Sequence, residues 1–143
     1  MTIKFVREKD KEAFNKAAGH PLQSWEWGNF REKTGNRVVR MASFEKDKLR
    51  QAIQLTLHPV PLTSLKIGTF LKGPEPSRPI LQTLKKFCQK ENLIFLKMEP
   101  NIAKEEKYLK LLKESGARPG KTLFTPSSFW IDLTKSEDEL LRS

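Results

Sequence analysis

Val38-Val39-Arg40-Met41-Ala42-Ser43-Phe44-Glu45-Lys46-Asp47-Lys48-Leu49-Arg50-Gln51-Ala52-Ile53-Gln54-Leu55-Thr56-Leu57-His58-Pro59-Val60 is the stretch that decides the architecture. Val38 to Phe44 predicts a strand, and Glu45-Lys46-Asp47-Lys48 a polar turn. Ala52 to Val60 predicts the partner strand, because Ile53, Leu55 and Leu57 alternate with Gln54, Thr56 and His58. Two strands joined by so short a turn run antiparallel.

Toward the N-terminus, Ile3-Lys4-Phe5-Val6 alternates and predicts a short strand. Asp10 offers a cap to a brief helix through Ala17 and Ala18, with Ala13, Phe14 and Ala17 on its inner face and Gly19 ending it. Ser24 caps a second helix, Trp25 to Thr34, which Gly35 terminates. Toward the C-terminus, Ile67 to Leu71 predicts a strand that stops at Lys72-Gly73-Pro74, since proline has no N–H for a ladder. Arg78 to Glu91 is helical, with Ile80, Leu81, Leu84, Phe87 and Cys88 on one buried face. The continuous apolar run Leu93-Ile94-Phe95-Leu96 reads as a central strand covered on both sides. Glu105 to Ser115 predicts an amphipathic helix carrying Tyr108, Leu111 and Leu112, stopped by Gly116. Ser128 to Leu133 predicts a strand, and Thr134-Lys135-Ser136-Glu137 a capping box that starts a helix.

The order is strand, two helices, a meander, then helix–strand–helix–strand. It predicts an α/β fold with a mixed sheet, antiparallel in front and with crossover connections behind. This matches the beginning of a GNAT-type acyltransferase fold. One domain over residues 1–143 suits the length. A helix launched so close to Ser143 gives the expectation that this domain is cut short at its C-terminal end.

Lysine plus arginine exceed aspartate plus glutamate by 27 − 17 = 10. Residues 1–50 hold 12 basic and 7 acidic side chains, so the excess is spread rather than confined to a tail. Such a domain attracts polyanions and phosphorylated ligands. With one cysteine, Cys88, there is no internal disulfide and no cysteine-based metal site; its place on an apolar helix face predicts an inert thiol. The N-terminus turns charged too early for a signal peptide, and no apolar run is long enough to span a bilayer. A cytoplasmic location follows.

Reaction-centre patterns are sparse. His20 and His58 each precede proline and read as loop or strand-end residues. There is no P-loop or dinucleotide glycine motif. The Arg/Gln-x-x-Gly-x-Gly/Ala segment that holds the pyrophosphate of acetyl-coenzyme A in ordinary GNAT enzymes is missing too, and Gly116-Ala117-Arg118-Pro119-Gly120 is a poor substitute. No catalytic residue, metal or cofactor is therefore assigned.

Pro21-Leu22-Gln23-Ser24-Trp25-Glu26-Trp27-Gly28-Asn29-Phe30-Arg31 carries more specific information. It resembles the Gln-Ser/Asp-x-x-Trp-x-x-x-Lys pattern of the Fem family of peptidoglycan cross-bridge aminoacyltransferases, the methicillin-resistance factors. Gln23, Ser24 and Trp27 match, and Arg31 stands where the family usually has lysine. Lys72-Gly73-Pro74, Leu96-Lys97-Met98-Glu99-Pro100, and Phe129-Trp130-Ile131-Asp132-Leu133-Thr134-Lys135-Ser136 with Glu139-Leu140-Leu141 resemble later family segments in the right order. The family's basic helix and second GNAT-like domain have no counterpart here, so the resemblance covers the N-terminal portion of a full-length member.

The resemblance implies an aminoacyltransferase of interpeptide-bridge synthesis. Its donor would be aminoacyl-tRNA and its acceptor an amine on a UDP- or lipid-linked muropeptide, with contact to the inner membrane surface. The candidate substrate-binding residues are Arg31, at the family's diphosphate-contacting position, and Trp27, one turn earlier on the same helix face. Trp25, Trp27 and Phe30 also read as ordinary core aromatics. With the bond-making residues of the family lying beyond this chain, the 143 residues alone are expected to be inactive. Two alternatives remain open: a small basic RNA-binding module displaying aromatics on a sheet face, and a GNAT-like N-acyltransferase using another donor.

Overall fold

The computed structural model describes residues 1–124 and 134–142. Five strands form one sheet in sequence order: β1 (Thr2–Phe5), β2 (Arg37–Glu45), β3 (Lys48–Pro59), β4 (Lys66–Gly73) and β5 (Leu93–Pro100). The first four are antiparallel neighbours, and β5 runs parallel to β4. The helices are α1 (Lys11–Ala17), α2 (Trp25–Lys33), α3 (Arg78–Lys90), α4 (Glu106–Glu114) and α5 (Glu137–Leu141).

The deciding hairpin forms as read. Its turn closes with Glu45 opposite Lys48, and Lys46 and Asp47 take φ of 46° and 58°. Both central residues are therefore left-handed, the geometry whose twist matches a two-residue hairpin. Alternation along β3 then sorts its side chains onto two covered faces. Ile53, Leu55 and Leu57 join Val39, Met41 and Phe70 under Ile80, Leu84 and Phe87 of α3. The opposite face presents Ala42 and Ala52, paired across β2 and β3. These small residues make room for Phe14 of α1 and Trp25 of α2, which meet edge to face at 5.5 Å between ring centroids. Edge-to-face contact suits the quadrupoles of two large rings.

Several expectations need correction. Leu93–Leu96 is not covered on both faces, and among the described residues β5 has β4 on one side and no strand on the other. Ile94 and Phe95 are accordingly 54% and 50% exposed. The apolar run misleads because Leu93 and Leu96 pack against the core while the two residues between them do not. Ala13 is exposed rather than on the inner face of α1. Asp10 does not cap that helix; its carboxylate accepts from the Arg7 N–H and closes a preceding 3-10 turn. Ala18, in an extended conformation, ends α1 before Gly19 is reached. In α4, Tyr108, Leu111 and Leu112 are half-buried and no residue is buried.

Other punctuation holds. Gly35 and Gly116 follow α2 and α4 with φ of 84° and 90°. A capping box does start α5, but between Ser136 and Glu139, two residues beyond the expected Thr134-to-Glu137 box. The strand expected over Ser128–Leu133 lies outside the described residues. No helix among the described residues is long and apolar enough to cross a membrane.

Candidate functional site

The segment 21–31 enters the fold through a buried glutamine. Gln23 is 1% exposed and sits where β3 and β4 part. The two strands pair from Pro59 opposite Lys66 to Thr56 opposite Thr69. Farther along, the Gln23 side chain replaces the ladder. Its Nε2 donates to the carbonyls of Gln54 (3.2 Å) and Leu71 (2.7 Å), and its Oε1 accepts from the Gln54 N–H at 2.8 Å. A primary amide has the donors and the acceptor that this opening needs. Ser24 then caps α2, its Oγ accepting from the Trp27 N–H.

Arg40 fixes the helix from the sheet side. Its side chain is 10% exposed, and its charge is spread over several partners. Nε donates to Gln54 Oε1 at 3.0 Å, and one terminal nitrogen donates to Asn29 Oδ1 and the Trp25 carbonyl. Both terminal nitrogens reach Glu32, and the guanidinium lies 4.4 Å from the Trp25 ring centroid. Gly28 is where α2 comes closest to this cluster. A Cβ there would press into Gln54 Oε1 and the Arg40 guanidinium. The sequence reading missed Gln54, Arg40 and Gly28. The available signals were a cation inside an apolar strand and a glycine inside a helix, where it ordinarily costs about 1 kcal/mol.

With Trp25 turned inward, the far side of α2 carries Trp27, Phe30 and Arg31. Trp27 is half-buried and packs on Phe30 at 5.3 Å between ring centroids. Phe30 is 50% exposed, so the core reading fails for it, while Trp25, at 4% exposure, fits it. Arg31 is half-buried, and among the described residues no carboxylate or other side chain pairs with its guanidinium. Its charge is felt at His58 on β3, whose pKa is lowered first by burial and then by Arg31. His58 also contacts Thr69 Oγ1 at 3.2 Å. Burial and the Arg31 charge both disfavour the protonated imidazole of His58, so the positive charge of this corner rests on Arg31, for which no side-chain partner is found among the described residues. Trp27 and Arg31 are thus brought together on one helix face, and His20 lies apart from them, capping the turn before α2 by accepting from the Leu22 N–H.

The connection from β4 to α3 is Pro74-Glu75-Pro76-Ser77, followed by Arg78-Pro79. Three of these six residues have no N–H, so the helix start is poor in the backbone donors that cradle a phosphate. Among the described residues no cluster of His, Cys, Asp or Glu has the makings of a metal site. Both faces of the central strands are covered by helices, so no aromatic platform of the RNA-binding kind is displayed there.

Comparison with known proteins agrees with this geometry. FemX is similar over 81% of this chain at 21% identity, with a TM-score of 0.67; the chain spans 32% of FemX. Ribosomal-protein-alanine N-acetyltransferase from Brucella melitensis biovar Abortus 2308 is similar over 90% of the chain and 100% of its own length, at 12% identity and TM-score 0.57. A probable acetyltransferase gives 17% identity and TM-score 0.56, over 92% of this chain and 99% of its own. These likenesses establish the GNAT-like acyltransferase fold. No curated protein sequence matches the chain. The sequence profile of the FemAB family matches residues 6–119, and the chain therefore belongs to the FemAB family.

Proposed function

We propose that this chain is the N-terminal, acceptor-binding lobe of an aminoacyltransferase that builds peptidoglycan interpeptide bridges in the cytoplasm. The observation that carries the reading is the Arg31 guanidinium. It shares a helix face with Trp27 and lacks a side-chain partner among the described residues, and the resemblance aligns it with the family's diphosphate-contacting lysine. Its planar fork suits two oxygens of a diphosphate at once. The acceptor would be a muropeptide linked through diphosphate to a nucleotide or a lipid, and the donor an aminoacyl-tRNA.

In the reaction, an uncharged amine of the stem peptide attacks the aminoacyl ester carbonyl. A C–N bond forms, the ester C–O bond breaks, the tRNA ribose oxygen leaves, and the proton lost by the amine is returned to that oxygen. The step depends on positioning and on stabilising the tetrahedral oxyanion. A donor other than acetyl-coenzyme A is supported by the proline-rich entry to α3. The role of this chain is to hold the acceptor, and we expect the 143 residues alone to bind without turnover. Release of amino acid from aminoacyl-tRNA by purified chain would count against that.

Calorimetric titration with a UDP-linked muropeptide tests the site. Arg31→Ala is expected to weaken binding about 10- to 100-fold, the worth of a charge-assisted contact pair, and Arg31→Lys to restore most of it. An unchanged Kd in Arg31→Ala would remove Arg31 from the site.

A further inference from the structure

β1 is shorter than the strand it pairs with. Its four residues lie opposite Met41 to Phe44, whereas β2 begins at Arg37. Past Phe5 one further bond is made, from the Val6 N–H to the Arg40 carbonyl at 3.2 Å. The chain then leaves the sheet through the 3-10 turn Glu8–Asp10. That last bond fixes the parity of β2. In an antiparallel ladder the backbone groups of alternate residues face alternate neighbours. Val38, two residues before Arg40, therefore also aims its N–H and C=O away from β3. Among the described residues neither group has a hydrogen-bond partner. Strand backbone left open in this way is a template for another extended chain.

A notch of about 300 Å³ lies against this open edge. Because it opens at the side of the sheet, its walls come from both layers. Phe87 and Glu91 of α3 stand on one side, Trp25 of α2 on the other, and Phe5 and Arg7 at the end of β1. Phe5 is 66% exposed and tilts against Phe87 with 6.2 Å between ring centroids, which gives the notch an aromatic wall. Three of the lining residues are arginines, and Glu91 is the one carboxylate. Arg40 is held by Asn29 and Gln54, and Arg37 by Glu91. Arg7 is exposed, and among the described residues no carboxylate pairs with its guanidinium.

We propose that this notch takes an extended, acidic peptide segment of a partner protein, which continues the line of β1 along β2. Val38 exchanges both of its backbone bonds with the segment, an apolar side chain rests on Phe5 and Phe87, and a carboxylate meets Arg7. In such strand addition the main-chain bonds hold the peptide and the flanking side chains select it. A second copy of this chain fits poorly, because its own edge would bring the same arginines opposite these. A nucleic acid would engage the arginines but leave the Val38 amide and the aromatic wall without a role. The proposal goes beyond the acceptor-site reading and does not rest on it, since neither Trp27 nor Arg31 lines the notch.

The test titrates the full chain into a fluorescein-labelled hexapeptide of alternating glutamate and valine, read by fluorescence anisotropy. Two control peptides accompany it: one with lysine in place of glutamate, and one N-methylated throughout, which keeps the charge but cannot form a ladder. The acidic peptide is expected to bind roughly tenfold or more tightly than either. Hydrogen exchange locates the contact. The Val38 amide should exchange rapidly in the free chain, although it lies inside a strand, and about tenfold or more slowly with peptide bound. Arg7→Glu reverses the rim charge and should weaken peptide binding about tenfold, with the unfolding midpoint and the affinity for a UDP-linked muropeptide unchanged. No binding, equal binding of either control peptide, binding unaltered in Arg7→Glu, or a Val38 amide still unprotected in the complex would each overturn the proposal. Protection of that amide on raising the chain concentration without peptide would assign the edge to a second copy instead.

Discussion

Gly28→Ala should destabilise this protein, against the usual rule. At an ordinary helix interior, replacing glycine by alanine gains about 1 kcal/mol, because alanine surrenders less backbone freedom. Here the new methyl would overlap Gln54 Oε1 and the Arg40 guanidinium. Both belong to flexible side chains, so the question is what holds them. Gln54 Nε2 is tied to the Ser24 carbonyl at 2.9 Å, and Arg40 to Gln54, Asn29, the Trp25 carbonyl and Glu32. Moving the guanidinium outward breaks one or two charge-assisted bonds in a largely buried setting, at about 1.5–3 kcal/mol each. Set against the gain of about 1 kcal/mol, the net loss is about 0.5–5 kcal/mol, and a thermal midpoint lower by roughly 2–15 °C. Urea unfolding of wild type, Gly28→Ala, Arg40→Ala and the double variant separates the terms as a double-mutant cycle. With Arg40 shortened, the guanidinium contacts go and Gln54 Oε1 loses the donor that holds it in the methyl's path, so Gly28→Ala should cost clearly less on Arg40→Ala than on the wild type. A stabilised single variant, or two additive losses, would refute the clamp.

Other residues give sharper readings of single contacts. Glu91 accepts from Arg37 at 2.5 and 3.0 Å and from Lys66 at 3.1 Å, which holds its carboxyl at about 2, down from 4.5. The drop corresponds to about 3 kcal/mol, but Arg37 is 54% exposed, and solvent screening leaves about 1–2 kcal/mol. Since the folded value is the lower one, this stability is complete above pH 4.5 and fades as pH falls toward 2. Glu91→Gln should therefore lower the urea midpoint at pH 7, and its curve should converge on the wild type near pH 2. Gln23→Leu fills the same space but strands the Gln54 N–H and the Leu71 carbonyl, and should cost about 2–4 kcal/mol by chemical denaturation. Burial raises the Cys88 thiol pKa, so iodoacetamide at pH 8 should label it more slowly than free glutathione, with the difference vanishing in denaturant.

The meander was legible because each of its strands alternates and each turn carries its own chemistry. Ser24, Gly35 and Gly116 mark helix ends by local rules that tertiary contacts do not override. Leu93–Leu96 was misread as covered on both faces because an apolar run reports hydrophobicity, whereas what covers each face depends on neighbours distant in sequence. Asp10 was misassigned for a related reason: its carboxylate has two nearby backbone donors to choose from, and pattern alone does not rank them. Around the candidate site, Trp27 and Arg31 share a face by spacing alone, so their adjacency was foreseeable. The roles of Gln23 and Arg40 were not, since one fills an opening between strands and the other crosses from sheet to helix. Phe30 shows the same gap, because three aromatics on one short helix cannot all face one core.

The two arginines at α2 separate by accounting for their partners. A buried cation is tolerated when its donors are matched by acceptors, and Arg40 has side-chain, backbone and ring partners within a few ångströms. That saturation makes it poor at gripping an incoming anion, because binding would first have to break existing bonds. Arg31 sits six residues after the Trp25 that Arg40 covers, about 120° round the helix, and among the described residues no such set of acceptors surrounds it. One guanidinium therefore immobilises α2, while the other, on the helix so immobilised, has no side-chain partner among the described residues. A ligand-binding cation gains affinity when its mounting is rigid before the ligand arrives. On this reasoning Arg40→Ala should weaken diphosphate binding indirectly, through a looser α2, while Arg31→Ala weakens it without altering the unfolding midpoint.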